Sequence, residues 1–131
     1  MFLDTSGLFS LLDKRSRFHS LAIELYRGAD RLITHNYVLA ELVALCNARK
    51  LPRPPCIQFI RGITRNPRVE MVWTDPILHE AGLDLISRRL DKAYSLCDAV
   101  SFVCMRQEGI ASALTSDQHF EQEGFIQLLK C

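Results

Sequence analysis

Short strand-like runs alternate with longer stretches of helical period along this chain, and that alternation restricts the fold more than any other feature. "MFLD" is a brief apolar run ending in an acid, and "FHSLAIELYRG", residues 18–28, has helical spacing closed by Gly28. A second short strand is expected at Leu32–Thr34, followed by a helix that Asn36 can cap and that runs to about Lys50. "LPRPPC", residues 51–56, reads as an interhelical loop because three prolines interrupt the helical pattern, and residues 55–65 resume it. "VEMVW", residues 69–73, alternates as a strand before Asp75 and Pro76 supply a cap and first-turn proline for a helix to about Leu90. Ser95 caps the next helix, with Asp98 three residues on as in a capping box, and Gly109 ends it. "IASALTSD" and "GFIQLL" give two further strands around the short helical turn "QHFEQE". Parallel strands need crossover helices, so this order predicts an α/β fold: a three-layer α/β/α sandwich around a mostly parallel sheet of four to five strands. With 131 residues and no repeat or low-complexity segment, one domain spanning residues 1–131 is expected.

The acids fall in unusual places on that frame. In "YSLCDAVSFVCM", residues 94–105, Asp98 shares a helical stripe with Tyr94, Ser101, Phe102 and Met105. Glu41 likewise has Tyr37, Val38, Ala44 and Leu45 one turn away, so both acids are expected to face a largely apolar environment. An ionised carboxylate buried without a partner costs several kcal/mol or is neutralised by a raised pKa, so each calls for an Arg, a Lys or a metal cation. Asp4 directly follows the first strand, and Asp117 follows "SALT" with Ser116 between. Ligand crevices of open α/β sheets form beyond the carboxyl ends of strands, where strand order reverses. Four converging carboxylates would repel one another unless hard divalent cations compensate, and oxygen ligation suits Mg²⁺ or Mn²⁺ over zinc.

Each acid also has a plain structural reading. Asp4 and Asp117 can cap following helices, Asp98 can be only the capping-box acid of its own helix, and Glu41 can pair with a buried Arg, although no partner is visible. Asp75 and Asp91 read as cap or loop acids outside any site. The histidines at 19, 35, 79 and 119 are isolated in sequence and read as surface or core residues; His119, two residues past Asp117, is closest to the acids, with contact to a substrate phosphate as its alternative reading. Gly-rich phosphate loops, GxSxG and HExxH are absent.

Composition narrows the classes further. A formal net charge of +1 advertises no overall basic field, so a polyanion must be met by a local patch. Five cysteines at 46, 56, 97, 104 and 131, with no CxxC pair, argue against a disulfide framework or a zinc site and suit reduced thiols in a cytoplasm. No run reaches the roughly 18 apolar residues of a membrane span, and the N-terminus lacks a basic leader region, so a cytoplasmic protein without membrane attachment is expected.

Together, "FLDTSGLFSLLD", "NYVLAELVAL", "YSLCDAVSF" and "LTSDQHFEQEGF" resemble the PIN-domain family, which includes the VapC-type toxins of toxin-antitoxin pairs, over essentially the whole chain. The resemblance implies a metal-dependent nuclease in which Asp4, Glu41 and Asp98 are the core acids and Asp117 the fourth, with Ser6 and Ser116 as hydroxyl neighbours of metal or substrate. Asp4 and Asp98 are expected as direct ligands, the others acting partly through water. In phosphodiester hydrolysis such ions acidify water and offset charge on the departing oxygen. Basic groups on the rim must hold the flanking phosphates; the candidates are Arg61, Arg65 and Arg68 for one edge and Lys14, Arg15 and Arg17 for another, although each run by itself reads as a solvated face. The resemblance points to single-stranded RNA as substrate, a small antitoxin protein as partner and a homodimer. The alternative is a catalytically weak PIN-like module that binds RNA or a protein. A flavodoxin-like phosphoacceptor would also place acids at strand ends but leaves Glu41 unexplained.

Overall fold

The strand-like runs are short and buried, as strands covered on both faces must be: Phe2, Leu3, Leu32, Ile33, Ala113 and Leu114 are almost wholly inaccessible. A computed structural model describes all 131 residues. Its strands are β1 (Phe2–Leu3), β2 (Leu32–His35), β3 (Val69–Val72), β4 (Ser112–Leu114) and β5 (Ile126–Gln127). All are parallel and form one sheet in the order β3-β2-β1-β4-β5. Phe2 stands opposite both Ile33 and Ala113, which makes β1 the centre of the sheet.

Seven helices connect them: α1 (Thr5–Leu12), α2 (His19–Gly28), α3 (Asn36–Ala48), α4 (Arg53–Arg65), α5 (Pro76–Ser87), α6 (Leu96–Gln107) and α7 (His119–Gln122). Right-handed crossovers that step from β1 to β2 to β3 place α1 to α4 on one face, and the return past β1 to β4 places α5 to α7 on the other. The packing agrees: α1 meets α2 and α3, and α3 meets α4, whereas α6 meets α5 and α7. Strand order therefore reverses between β1 and β4, and the switch-point crevice opens at their carboxyl ends.

Two elements differ from the sequence reading. Thr5–Leu12 is a helix that helical spacing alone did not single out; it is only eight residues long and its N-cap, Asp4, makes no side-chain cap bond. Burial of Leu8, Phe9 and Leu11 holds it instead. The segment 51–56 is not all loop, because α4 begins at Arg53 with Pro54 and Pro55 in its first turn. Amides of a first turn have no intrahelical acceptor, so proline loses nothing there. Two of the three expected caps stand: Asp75 accepts from the Leu78 amide at 2.8 Å, and Ser95 and Asp98 form both bonds of a capping box. α3 is capped instead by His35, whose Nδ1 accepts from the Val38 amide at 3.3 Å, while Asn36 is the first residue of the helix and its Oδ1 accepts from the Thr74 amide at 2.6 Å.

One close approach ties the two sides of the crevice together. A Cβ on Gly7 would lie 1.9 Å from the Leu114 carbonyl oxygen, so α1 can rest on the end of β4 only with glycine there. Beneath, Phe102 of α6 packs edge-on against Phe120 at 4.9 Å and stacks on Phe125 at 5.6 Å, joining α6 to the β4–β5 connection.

Candidate active site

Each proposed acid reaches the crevice by its own route. Asp4 ends β1 and Asp117 follows β4, the two strands flanking the switch point. α3 leaves β2 at that same carboxyl edge and carries Glu41 in its second turn. α6 runs back toward the start of β4, so its first turn, with Asp98, also lies at that edge. The charges meet: Asp98 and Glu41 both act on Asp4, and the fields of Glu41, Asp4 and Asp98 all fall on the Cys97 thiol, adding to burial in raising its pKa.

Asp4 is 4% exposed. Burial is the largest influence on it and pushes its pKa up to about 7, against hydrogen bonds from the Thr115 hydroxyl and the Thr5 backbone, while the negative charges of Asp98 and Glu41 push the same way as burial. Asp98 is buried too; its Oδ2 accepts from the Ser95 amide at 3.1 Å and from His119 Nδ1 at 2.9 Å. Asp117 Oδ1 accepts from the His119 amide at 2.9 Å, a local turn bond, and lies 3.5 Å from His119 Nδ1. One ligand atom from each of Asp98, Asp117 and His119 lies within 4.8 Å of the others.

Glu41 departs from expectation. Its stripe is not enclosed: Glu41 and Ala44 are exposed, Tyr37 and Leu45 half-buried, and only Val38 is fully covered. The same-helix neighbours are apolar, but that part of α3 is open to solvent. No Arg or Lys pairs with Glu41, nor with Asp4, Asp98 or Asp117. The contrast is Glu123, which is also buried but is held by Arg89 (2.9 and 3.1 Å) and Arg106 (2.7 Å). Burial would raise its pKa, and those bonds outweigh it and bring the carboxyl below its ordinary value. Glu121 pairs with Lys130. The fold thus neutralises the acid outside the crevice with arginines and leaves the crevice acids without a basic chain, apart from His119.

Thr115 is the residue that pattern reading missed. Fully buried at the end of β4, its hydroxyl donates to Asp4 Oδ2 at 2.7 Å and accepts from the Asp117 amide at 3.0 Å. Its one hydrogen goes to the carboxylate, so in the 3.1 Å contact with Ser6 the Ser6 hydroxyl is the donor. Ser6 in turn accepts from the Ser116 amide at 2.9 Å. The bonds run in one direction, from Ser116 through Ser6 and Thr115 to Asp4. A strand-end threonine two residues before an acid is the only sequence trace of this role.

Of the rim candidates, Arg68 is a correction: it sits at the start of β3, at the far edge of the sheet, where its guanidinium donates to the carbonyls of Tyr26 and Ala29. Arg61 and Arg65 line a groove along α4 with Pro54 and Ile57. Arg15 and Arg17 line a different groove that reaches Ser6 and Ser116. Lys14 is exposed.

A five-stranded parallel sheet with carboxylates lacking an arginine or lysine partner gathered at its switch point defines an α/β protein with an acidic cluster at the carboxyl ends of its strands. The chain belongs to the PIN-domain family: the family model for the PIN domain matches residues 1–125. It is 31% identical over 129 residues to the 23S rRNA-specific endonuclease VapC20 of two Mycobacterium tuberculosis strains, covering 98% of this chain and 97% of that protein. The crystal structure of M. tuberculosis VapC20, described as a sarcin-ricin loop cleaving toxin, superposes with a TM-score of 0.87 at 29% identity, covering 96% of each chain.

Proposed function

We propose that this protein is a divalent-metal-dependent endoribonuclease, the toxin of a toxin-antitoxin pair, acting as one nuclease domain on single-stranded segments of RNA. The observation that carries this reading is the treatment of charge: Asp4 and Asp98 are buried beside Glu41 and Asp117 without an Arg or Lys, while the equally buried Glu123 has two arginines. A site built of carboxylate oxygens fits a hard cation, and Asp4, held partly protonated near neutral pH by burial, is a group that such an ion would ionise and stabilise. Asp4 and Asp98 would hold Mg²⁺ or Mn²⁺ directly, with Glu41 and Asp117 completing the set directly or through water. When bound, the ion acidifies water and offsets charge at the phosphate.

The chain's own residues do the positioning. Thr115 holds Asp4 by its Oδ2 and the Ser95 amide holds Asp98 by its Oδ2, so each carboxylate keeps its Oδ1 without a side-chain donor. His119 donates Nδ1–H to Asp98, and its Nε2 is left to meet a phosphate oxygen or the leaving group. The VapC20 likeness favours RNA as substrate and, for a toxin, a small antitoxin partner; homodimerisation and a cytoplasmic site of action belong to the same proposal. No helix is long and apolar enough to cross a membrane.

The test is cleavage of end-labelled single-stranded RNA by purified protein with Mg²⁺, with Mn²⁺ and with EDTA. Cleavage that is lost both in EDTA and in Asp98→Asn is expected. Metal binding without any cleavage would replace the nuclease with the weak binding module.

A further inference from the structure

A cavity of about 400 Å³ lies between the α1–α2 connection and the end of α3, within the roughly 300–1,000 Å³ of ordinary ligand clefts. It meets the acidic crevice at Ser6 and Ser116, so it continues the site without containing any of its acids. Three arginines line it against one acid. Asp13 engages Arg15 at 3.2 Å, but the guanidinium groups of Arg17 and Arg49 enter no ion pair and no hydrogen bond. Each instead lies over an aromatic ring, Arg17 over Phe18 at 4.7 Å and Arg49 over Phe9 at 5.6 Å. Stacking holds a guanidinium in place while leaving its N–H edge free to donate, the arrangement suited to a phosphate. Because the Ser6 hydrogen is directed at Thr115, the free hydroxyl donor at the junction is Ser116, which is exposed and whose Oγ has no partner.

We infer that this groove is the subsite for the RNA nucleotide next to the cleaved bond, with Arg17 and Arg49 holding its backbone phosphate and Ser116 meeting it at the crevice edge. The inference rests on the nuclease reading for its substrate class. The groove selects for backbone phosphate, since its fixed donors are guanidinium edges and it offers no carboxylate free to read a base.

The experiment measures binding of a fluorescein-labelled single-stranded oligoribonucleotide by anisotropy in EDTA over a salt series, alongside cleavage kinetics in Mg²⁺ or Mn²⁺. Arg17→Ala/Arg49→Ala is expected to bind about tenfold or more weakly, with the slope of log K against log salt shallower by about 0.7 for the one phosphate the two arginines share. In cleavage, KM should rise with kcat little changed, and Arg17→Lys/Arg49→Lys should recover part of the affinity. Both side chains are exposed, so the fold should persist, as unchanged circular dichroism would verify. Unchanged affinity and salt slope in the alanine pair, or a loss seen only in Arg61→Ala/Arg65→Ala, overturns the assignment. Hexaglutamate binding that needs Arg17 and Arg49, with RNA binding indifferent to them, would give the groove to an acidic protein partner and overturn it too. Wild-type protein that binds RNA through these arginines yet never cleaves sinks the nuclease reading and, with it, the place next to a cleaved bond, and keeps the groove only as a backbone-phosphate contact.

Discussion

At Asp4 the fold holds a carboxyl group 4% exposed, with the Thr115 hydroxyl as its hydrogen-bond donor and two further acids nearby. An unfolded Asp releases its proton near 3.8 and the folded one near 7, so between those values the folded chain carries the extra proton. Stability from this group is therefore greatest below pH 3.8 and falls by about 4 kcal/mol as pH rises through 7. Asp4→Asn should be the more stable protein at pH 8 in EDTA, by about 2–4 kcal/mol, and equal to wild type near pH 4, while losing cleavage. Urea denaturation at the two pH values checks this, and equal stability at both would show that the fold does not strain this charge. Thr115 acts one bond away. Thr115→Val removes the donor to Asp4 and the acceptor for Ser6, and should slow cleavage about 10–100-fold, as losses of hydrogen-bonded supports to ligands do. Thr115→Ser should restore most of the rate. A wild-type rate in the valine variant would end the positioning role.

Among elements, the joint between α3 and α6 is built by His35. The ring is fully buried; its Nδ1 accepts from the Val38 amide and caps α3, which leaves the proton on Nε2 to donate to Ser101 at 2.8 Å. Ser101 passes a hydrogen to the Cys97 carbonyl at 2.8 Å, next to Asp98. Burial lowers the His35 pKa to about 4, with an opposing contribution from the Cys97 backbone. Here the unfolded chain takes the proton first, so stability from this group is full above 6.5 and about 3 kcal/mol is lost as pH falls toward 4. Asp4 changes in the opposite sense over nearly the same range, so wild type should be almost flat there and Asp4→Asn should show the His35 slope uncovered. A pH series of urea midpoints in Asp4→Asn that stays flat from 6.5 to 4 would contradict this. The α1–β4 contact is tested by Gly7→Ala, whose Cβ meets the Leu114 carbonyl oxygen. A loss of about 2–3 kcal/mol and slower cleavage are expected, because α1 must lift from β4 and part Asp4 from Asp117.

Across the whole molecule, two kinds of buried acid carry different duties. Glu123 joins α7's end to Arg106 of α6 and to Arg89 beyond α5, and both arginines reach solvent. Glu123→Gln should cost about 1–2 kcal/mol, well below a fully buried pair because the arginines can rehydrate, and leave cleavage per folded molecule unchanged. Asp98→Asn should do the reverse. Mg²⁺ or Mn²⁺ should raise the melting temperature of wild type and of Glu123→Gln but not of Asp98→Asn, since only a folded site that binds the ion gains from it. A metal-induced shift of equal size in Asp98→Asn would remove that acid from the site.

Sequence alone determined what depends on residues within a turn or two of each other: the alternation of strands and helices, the caps Ser95 and Asp75, and the enclosed stripe around Asp98. It misjudged the burial of Glu41 because helical spacing reports a residue's own helix and not whether the rest of the fold covers it. Thr115 and Asp4 lie 111 positions apart, and Thr115 reads locally as an ordinary strand residue. Only the strand order, which sets β4 beside β1, joins those two side chains and separates the acids left without an arginine from the one given to two. Local chemistry fixes which elements form, but packing between distant segments decides which side chains share a site.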